Sequence, residues 1–80
     1  MKCKIKAFGI SREIVGGGLV ELDLPEGQTV SELKKQLFEK YPQLAALQSV
    51  FIAVNSEYAD EKAVLNEGDE IALIPPVSGG

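Results

Sequence analysis

One segment of this sequence has the pattern of an amphipathic helix, and it limits how the whole chain can fold. Its apolar residues recur at helical spacing: Val30, Leu33, Leu37, Phe38 and Tyr41. Thr29 and Glu32 form a capping-box pattern at its start, and Pro42 ends it because proline disfavours helical geometry in the preceding residue. A helix with a single apolar stripe buries that stripe against one face of another layer. We therefore predict one main helix packed across a sheet.

The segments on either side of this helix have the patterns of β-strands. Residues 2–8 alternate, with Cys3, Ile5 and Ala7 on one face and three lysines and Phe8 on the other. Residues 19–24 alternate in the same way, and residues 50–54 and 70–74 are predominantly apolar. A short strand is predicted near Tyr58. The order of elements predicts an α+β domain, a mixed sheet of about five strands with the helix on one face.

The remaining segments are interpreted as connections. Residues 10–18, which end in three glycines, are predicted to link the first two strands without a helix. A glycine run can hold phosphate, but no Lys-Ser/Thr pair follows it here. Residues 66–69 are predicted to turn with a positive φ at Gly68. Asp60 and Glu61 are interpreted as part of a solvated loop and not as a metal site.

Composition excludes several classes of function. The chain has 80 residues, enough for one domain spanning residues 1–80, and 45% of them are hydrophobic. One cysteine and no histidine leave no internal disulfide and no Cys/His site, so we expect no bound metal, and Cys3 is predicted to be a core residue. The net charge of −4 argues against nucleic acid. No apolar run reaches membrane-spanning length, so we expect a cytoplasmic protein with no membrane partner.

The final residues combine a stiff spacer with a tip that has no side chains. Pro75 and Pro76 fix φ and favour an extended chain, and Val77 and Ser78 follow them. Gly79 and Gly80 have no Cβ, so the tip can enter a slot that a side chain would block. We predict a flexible tail over residues 75–80. Residues 41–80 carry one basic and six acidic groups, a charge that suits a positively charged pocket on a partner.

This tail and several earlier positions resemble the ubiquitin-like sulfur carriers. The matching positions are Phe8, Arg12-Glu13, Gly16, Val54-Asn55, Leu65 and Gly68-Asp69-Glu70. Within that family, the segment Ile74–Gly80 is similar to the tail of the small subunits of molybdopterin synthase. The positions before the two prolines are often aromatic in the family, whereas this sequence has Leu73-Ile74.

The resemblance implies a β-grasp, or ubiquitin-like, fold in which the last strand lies centrally and parallel to the first. It also implies a sulfur carrier in molybdenum cofactor biosynthesis, whose C-terminal Gly80 is adenylated, converted to a thiocarboxylate and donates sulfur to the molybdopterin dithiolene. The implied partners are the large subunit of molybdopterin synthase and an adenylating enzyme, similar to ubiquitin-activating enzymes, that uses ATP. The chain itself is then a non-catalytic subunit without a bound cofactor. Residues 75–79 are expected to enter the partner's active site.

Strand alternation also predicts where a partner docks. Phe8 falls on the face away from the core, and Ile74 shares that face if Ile71 and Leu73 point inward. An exposed aromatic residue beside aliphatic residues marks a docking surface, so Phe8 and Ile74 are assigned to one.

Two other functions stay open at this point. One is a sulfur carrier for another pathway, such as thiamine thiazole formation or tRNA thiolation, although thiamine carriers look shorter and lack the two prolines. The other is a ubiquitin-like protein modifier or a plain interaction domain, whose tail forms an isopeptide bond or does nothing. The mass of the tail, and of any protein joined to it, separates these functions.

Overall fold

The computed structural model describes residues 1–47 and 49–75. Its strands are β1 (Lys2–Ala7), β2 (Leu19–Asp23), β3 (Phe51–Val54), β4 (Glu57–Tyr58) and β5 (Ile71–Ile74). Its α-helices are α1 (Gly9–Val15) and α2 (Val30–Lys40), and a 3₁₀ turn follows at Pro42–Ala46. The strands form one sheet in the order β2-β1-β5-β3-β4. This mixed sheet with α2 across one face confirms the predicted β-grasp architecture.

The last strand lies at the centre of the sheet, as predicted. β5 runs parallel to β1, with Ile5 opposite Ile71, and antiparallel to β3, with Ile52 opposite Leu73. Inward-facing side chains from these strands meet the apolar stripe of α2 in one core cluster, in which Ile5, Leu33 and Leu73 are fully buried. Hydrogen-bonded neighbours on both sides hold β5 in place, so the chain that follows it starts from a rigid root.

The predicted capping box at the start of α2 is present. The backbone N–H of Glu32 donates to the Thr29 hydroxyl at 3.4 Å, and the Glu32 carboxylate accepts from the backbone N–H of Thr29 at 3.4 Å. Each contact satisfies an N–H group that the first turn leaves without an intrahelical partner. The helix ends at Lys40 with Tyr41 as its cap, immediately before Pro42.

We expect Thr29→Ala to lower the free energy of unfolding by about 1 kcal/mol, the usual cost of losing an N-cap side chain. Urea unfolding followed by circular dichroism measures this change. Ser31→Ala is the matched control, because it removes an exposed hydroxyl from the same turn. A control that loses as much stability as Thr29→Ala would contradict the capping role.

The interpretation of residues 10–18 as a connection without a helix is wrong. Residues 9–15 form α1, which ends where Gly16 takes a left-handed conformation with φ +83°. The backbone N–H of Gly16 donates to the carbonyl of Arg12 at 3.0 Å and closes the last turn. Ile14 and Val15 pack against the core from this helix. Two turns are too short to show helical periodicity, and the first glycine of the run is a helix stop and not part of a phosphate loop.

The turn before β5 is joined to the turn after β3 by side-chain hydrogen bonds. Gly68 has the predicted positive φ, at +89°. Asn55 also has a positive φ, and its side-chain oxygen accepts from the backbone N–H of Glu70 at 3.0 Å. Its amide nitrogen donates to Asp69 at 3.1 Å. These bonds fix the point at which the chain enters β5.

Within the described part of the chain, neither helix has the length and apolar character needed to cross a membrane.

Candidate functional site

The candidate site begins where β5 leaves the sheet. The last paired residues are Leu73, opposite Ala7 of β1, and Ile74, opposite Phe51 of β3. Pro75 follows directly, and proline has no N–H with which to extend the ladder. The two pairs therefore define a fixed exit point for the chain at the C-terminal end of the central strand.

The structure places some of the predicted site residues at this exit. Phe8 is 48% exposed, and Ile74 and Pro75 are partly buried. Residues 76–80, which include Gly80 and the rest of the predicted tail, lie outside the described residues. The predicted flexibility of the tail and its chemistry therefore stay predictions.

The predicted orientation of the exit strand is confirmed. Ile71 and Leu73 are 2% and 0% exposed and face α2. Alternation then directs Ala72 and Ile74 to the opposite face of the sheet. Phe8 is in an extended conformation and continues the alternation of β1 onto that same face. That this face binds a partner stays a prediction.

The exposed face carries more apolar surface than the sequence indicated. Strand register brings Phe51 beside Ile74, and it places Tyr58 opposite Ala53 on the same face. The rings of Phe51 and Tyr58 meet edge to face with their centroids 5.7 Å apart. Leu19, which is also exposed, joins this face from β2. We call this surface the outer patch and define it as Phe8, Leu19, Phe51, Tyr58 and Ile74.

Sequence reasoning missed three of these residues. Phe51 belongs to the apolar run of residues 50–54, which favours a buried strand, yet its side chain is 52% exposed. Tyr58 lies on a strand of two residues, which is too short to show alternation. The sequence predicts that Leu19 lies in a strand. Its place opposite Lys6 is known only from the register between β1 and β2.

The other half of this face is charged. Lys4 of β1 lies opposite Glu21 of β2, and the Nζ of Lys2 is 3.9 Å from a carboxylate oxygen of Glu21. Lys6 lies opposite Leu19. Exposed pairs of this kind contribute little stability. The exposed face thus has an apolar region near the exit of the tail, bordered by Lys6, and a charged region farther along β1 that contains the Lys2–Glu21 pair.

The described residues offer little chemistry of their own at the exit point. No group of three His, Cys, Asp or Glu side chains suited to a metal ion occurs within residues 1–47 and 49–75. Cys3 is 5% exposed and belongs to the core, as predicted. Burial raises the pKa of its thiol above the ordinary value, because the apolar surroundings disfavour the thiolate. A buried, protonated thiol is a poor nucleophile.

We expect Cys3 to react slowly with iodoacetamide in the native protein and rapidly after unfolding in urea. The raised pKa also determines how stability depends on pH, because the folded state holds the thiol proton more tightly than the unfolded state. The contribution of Cys3 to the free energy of unfolding should therefore be fully present below the ordinary thiol pKa and decrease as pH rises above it. Mass spectrometry of labelled protein and urea titrations across alkaline pH test both expectations. Equal labelling of native and unfolded protein would contradict them.

Comparison with known proteins agrees with this geometry. The profile of the ThiS family matches residues 5–80. The chain belongs to the ThiS family. This confirms the resemblance to ubiquitin-like sulfur carriers, and the match continues through the two terminal glycines.

Relatives within the ThiS family include named sulfur carriers. The chain is 41% identical over 81 residues to the molybdopterin synthase sulfur carrier subunit of Dictyostelium discoideum, covering 96% of this chain and 94% of that protein. It is 35% identical over 83 residues to the protein of the same name from Chlamydomonas reinhardtii, covering all of both.

Solved structures with the same fold include a small archaeal modifier protein and a molybdopterin-converting factor. The small archaeal modifier protein 1 of Haloferax volcanii superposes with a TM-score of 0.82 at 26% identity, covering 95% of this chain and 98% of that one. A second match is a chain in the complex of subunits 1 and 2 of molybdopterin-converting factor from Helicobacter pylori. It superposes with a TM-score of 0.69 at 28% identity, covering all of both chains.

Proposed function

We propose that this chain is the sulfur carrier subunit of a molybdopterin synthase and acts in molybdenum cofactor biosynthesis. The observation that carries the proposal is the match of the whole chain, tail included, to the Chlamydomonas reinhardtii protein of that name, together with the family match over residues 5–80. The geometry supports it, because a centrally paired strand leads directly into the segment Pro75–Gly80. A rigid root with a narrow tip suits a group that is carried into the pocket of another protein.

The chemistry we propose takes place on the carboxylate of Gly80. A C-terminal carboxylate has a pKa of about 3.5, so it is ionised at neutral pH and is a poor electrophile. Its oxygen attacks the α-phosphorus of ATP on the adenylating enzyme, and pyrophosphate leaves. A sulfide equivalent then attacks the carbonyl carbon of this mixed anhydride, and AMP leaves. The product is a thiocarboxylate, which passes its sulfur to the precursor of the dithiolene.

Catalysis in this scheme belongs to the partner proteins. The described residues at the tail exit are apolar, and the thiol of Cys3 is buried in the core. The contribution of this chain is to position the reacting atom, which by itself can lower a barrier substantially. We accordingly propose a non-catalytic subunit of a transferase complex that holds no cofactor and works in the cytoplasm.

We propose that the outer patch docks on the large subunit while residues 75–79 enter its active site. An apolar patch with two exposed aromatic rings in contact has the composition of an interface core. The Helicobacter pylori structure is a complex of subunits 1 and 2 of molybdopterin-converting factor, which supports a partner of this kind. The second partner is an adenylating enzyme similar to ubiquitin-activating enzymes. It supplies the ATP-dependent step.

A second candidate function is protein modification. It is favoured by the structural similarity to the small archaeal modifier protein 1. In that case the activated carboxylate of Gly80 would react with a lysine amine of a target protein, and an isopeptide bond would replace the thiocarboxylate. Both functions use the same activated tail, so only the acceptor distinguishes them.

Reconstitution tests the proposal. The chain is incubated with its adenylating enzyme, ATP and a sulfur source, then repurified and mixed with the large subunit and the dithiolene precursor. We expect dithiolene to form in proportion to the loaded chain and not with unloaded chain. Loaded chain that forms no dithiolene, together with conjugates of higher mass in a cell extract, would instead support the modifier function.

A further inference from the structure

Lys6 lies in a row of otherwise apolar residues that crosses the exposed face of the sheet. Strand register places Lys6 opposite Leu19 of β2 on one side and opposite Ala72 of β5 on the other. The row continues from Ala72 to Ala53 of β3, and from Ala53 to Tyr58 of β4. The row therefore spans all five strands, and Lys6 is its one charged member.

Three of the four neighbours of Lys6 on this face are apolar. Leu19 and Ala72 flank it on the adjacent strands, and Phe8 follows it by two residues on the same face. The fourth neighbour is Lys4, which precedes it by two residues and carries the same charge. Lys6 thus places a cation at the border of the outer patch, with apolar side chains on the side toward the tail exit.

The ion pairs of the described chain do not neutralise Lys6. Three ion pairs occur within residues 1–47 and 49–75, and none of them includes Lys6. Glu21 lies opposite Lys4, one row farther from the tail exit, and its carboxylate is 3.9 Å from Nζ of Lys2. The side chain of Lys6 is exposed, so water solvates its ammonium group in the free protein.

Docking of the outer patch removes part of this water. The ammonium group of lysine is a strongly hydrated point charge, and covering it with an apolar surface is unfavourable unless an opposite charge replaces the water. A partner that covers this row must therefore supply a counter-charge at Lys6 or bind less tightly. A second copy of this chain does not meet that requirement with its own outer patch, because the patch residues include no carboxylate.

We propose that the large subunit presents a carboxylate, from an aspartate or a glutamate, to the ammonium group of Lys6 when the outer patch docks on it. This rests on the proposed function, since it takes the large subunit as the partner of the patch. It goes beyond that function by stating the chemistry of the partner's surface, which is apolar except for one acidic residue. Lys6 is then a specificity residue, because a surface with an apolar or basic residue at that point would be rejected.

Isothermal titration calorimetry with the large subunit tests this. Lys6→Met keeps a long unbranched side chain but removes the charge, so the carboxylate of the partner is left covered and unpaired. Truncating one member of such a pair typically weakens affinity about 30-fold or more, and we expect a loss of that size. Lys6→Arg keeps the charge and should lose much less affinity. Lys2→Met is the matched control, since it removes the same charge from the same face of β1, and should change affinity less than about threefold.

Carbodiimide cross-linking of the complex identifies the acidic residue. The reagent activates a carboxylate, which a neighbouring amine then attacks to form an amide, so that the two chains are joined with the net loss of one water molecule. We expect tandem mass spectrometry to locate a cross-link between Lys6 and an aspartate or glutamate of the large subunit. Replacing that residue by lysine should weaken binding to the wild-type chain and restore binding to Lys6→Glu, which is a charge swap across the interface.

The outcomes separate this inference from the proposals on which it rests. If Phe51→Asp weakens binding but Lys6→Met binds as tightly as the wild type, the role of Lys6 alone is rejected. A charge swap that restores no affinity would likewise overturn the pairing. A wild-type chain without measurable affinity for the large subunit would reject the proposed function, and this inference with it. Circular dichroism spectra of all variants should match the wild type, because Lys2 and Lys6 are exposed.

Discussion

Deleting Gly80 is expected to abolish both sulfur loading and dithiolene formation. In the proposed mechanism, the carboxylate would then lie on Gly79, one residue short of the position at which it is activated and used. The free energy of unfolding should not change, because Gly80 has no side chain to contribute to a core. Intact mass after loading, and dithiolene yield in the reconstituted reaction, measure the two losses.

Adding one alanine after Gly80 tests the same requirement in the opposite direction. It leaves every native residue in place, but it moves the carboxylate outward and adds a Cβ at the tip. We expect the same loss of function, since both the position of the reacting atom and the narrow tip are altered. A truncated chain that still supports sulfur transfer would refute the proposed mechanism.

Placing a charge in the outer patch is expected to have the second largest effect. Phe51→Asp puts a carboxylate beside Ile74 and removes the ring that contacts Tyr58. Loss of a central aromatic contact in an interface typically costs at least 2 kcal/mol, which is a loss of affinity for the large subunit of about 30-fold or more. Isothermal titration calorimetry with the large subunit measures this. Phe8→Asp tests the other side of the patch, with a loss expected in the same direction.

Val64→Asp is the control for these charge substitutions. Val64 is as exposed as Phe51, at 55%, but it lies outside the outer patch and forms a bridge with Thr29 at the start of α2. It changes the net charge of the protein by the same amount, so it also controls for long-range electrostatics. We expect its affinity for the large subunit to stay within about threefold of the wild type. A loss equal to that of Phe51→Asp would show that the patch is not the docking surface.

The elements that could be predicted from the sequence are those with a strong local signal. Thr29 and Glu32 mark the start of α2 because capping depends on residues three positions apart, and the apolar stripe that begins at Val30 repeats over about three turns. The strands β1 and β2 show the alternation of a half-buried sheet. The central, parallel placement of β5 came from the resemblance to a known family, because no local pattern states which strands are neighbours.

The parts that could not be predicted depend on short elements or on contacts between distant residues. The helix α1 has only seven residues, so its apolar positions Ile14 and Val15 do not repeat often enough to be recognised. The outer patch depends on the register that sets Phe51 opposite Ile74, and register is a property of paired strands.

The most direct test of the account is the mass of the chain after incubation with its adenylating enzyme, ATP and a sulfur source. We predict that the intact mass rises by the difference between one sulfur and one oxygen atom, and that tandem mass spectrometry locates the change at Gly80. Omission of ATP should prevent the change, because an ionised carboxylate does not exchange oxygen for sulfur without activation. An unchanged mass in the complete reaction, or a sulfur atom located on Cys3 and not on Gly80, would contradict the account.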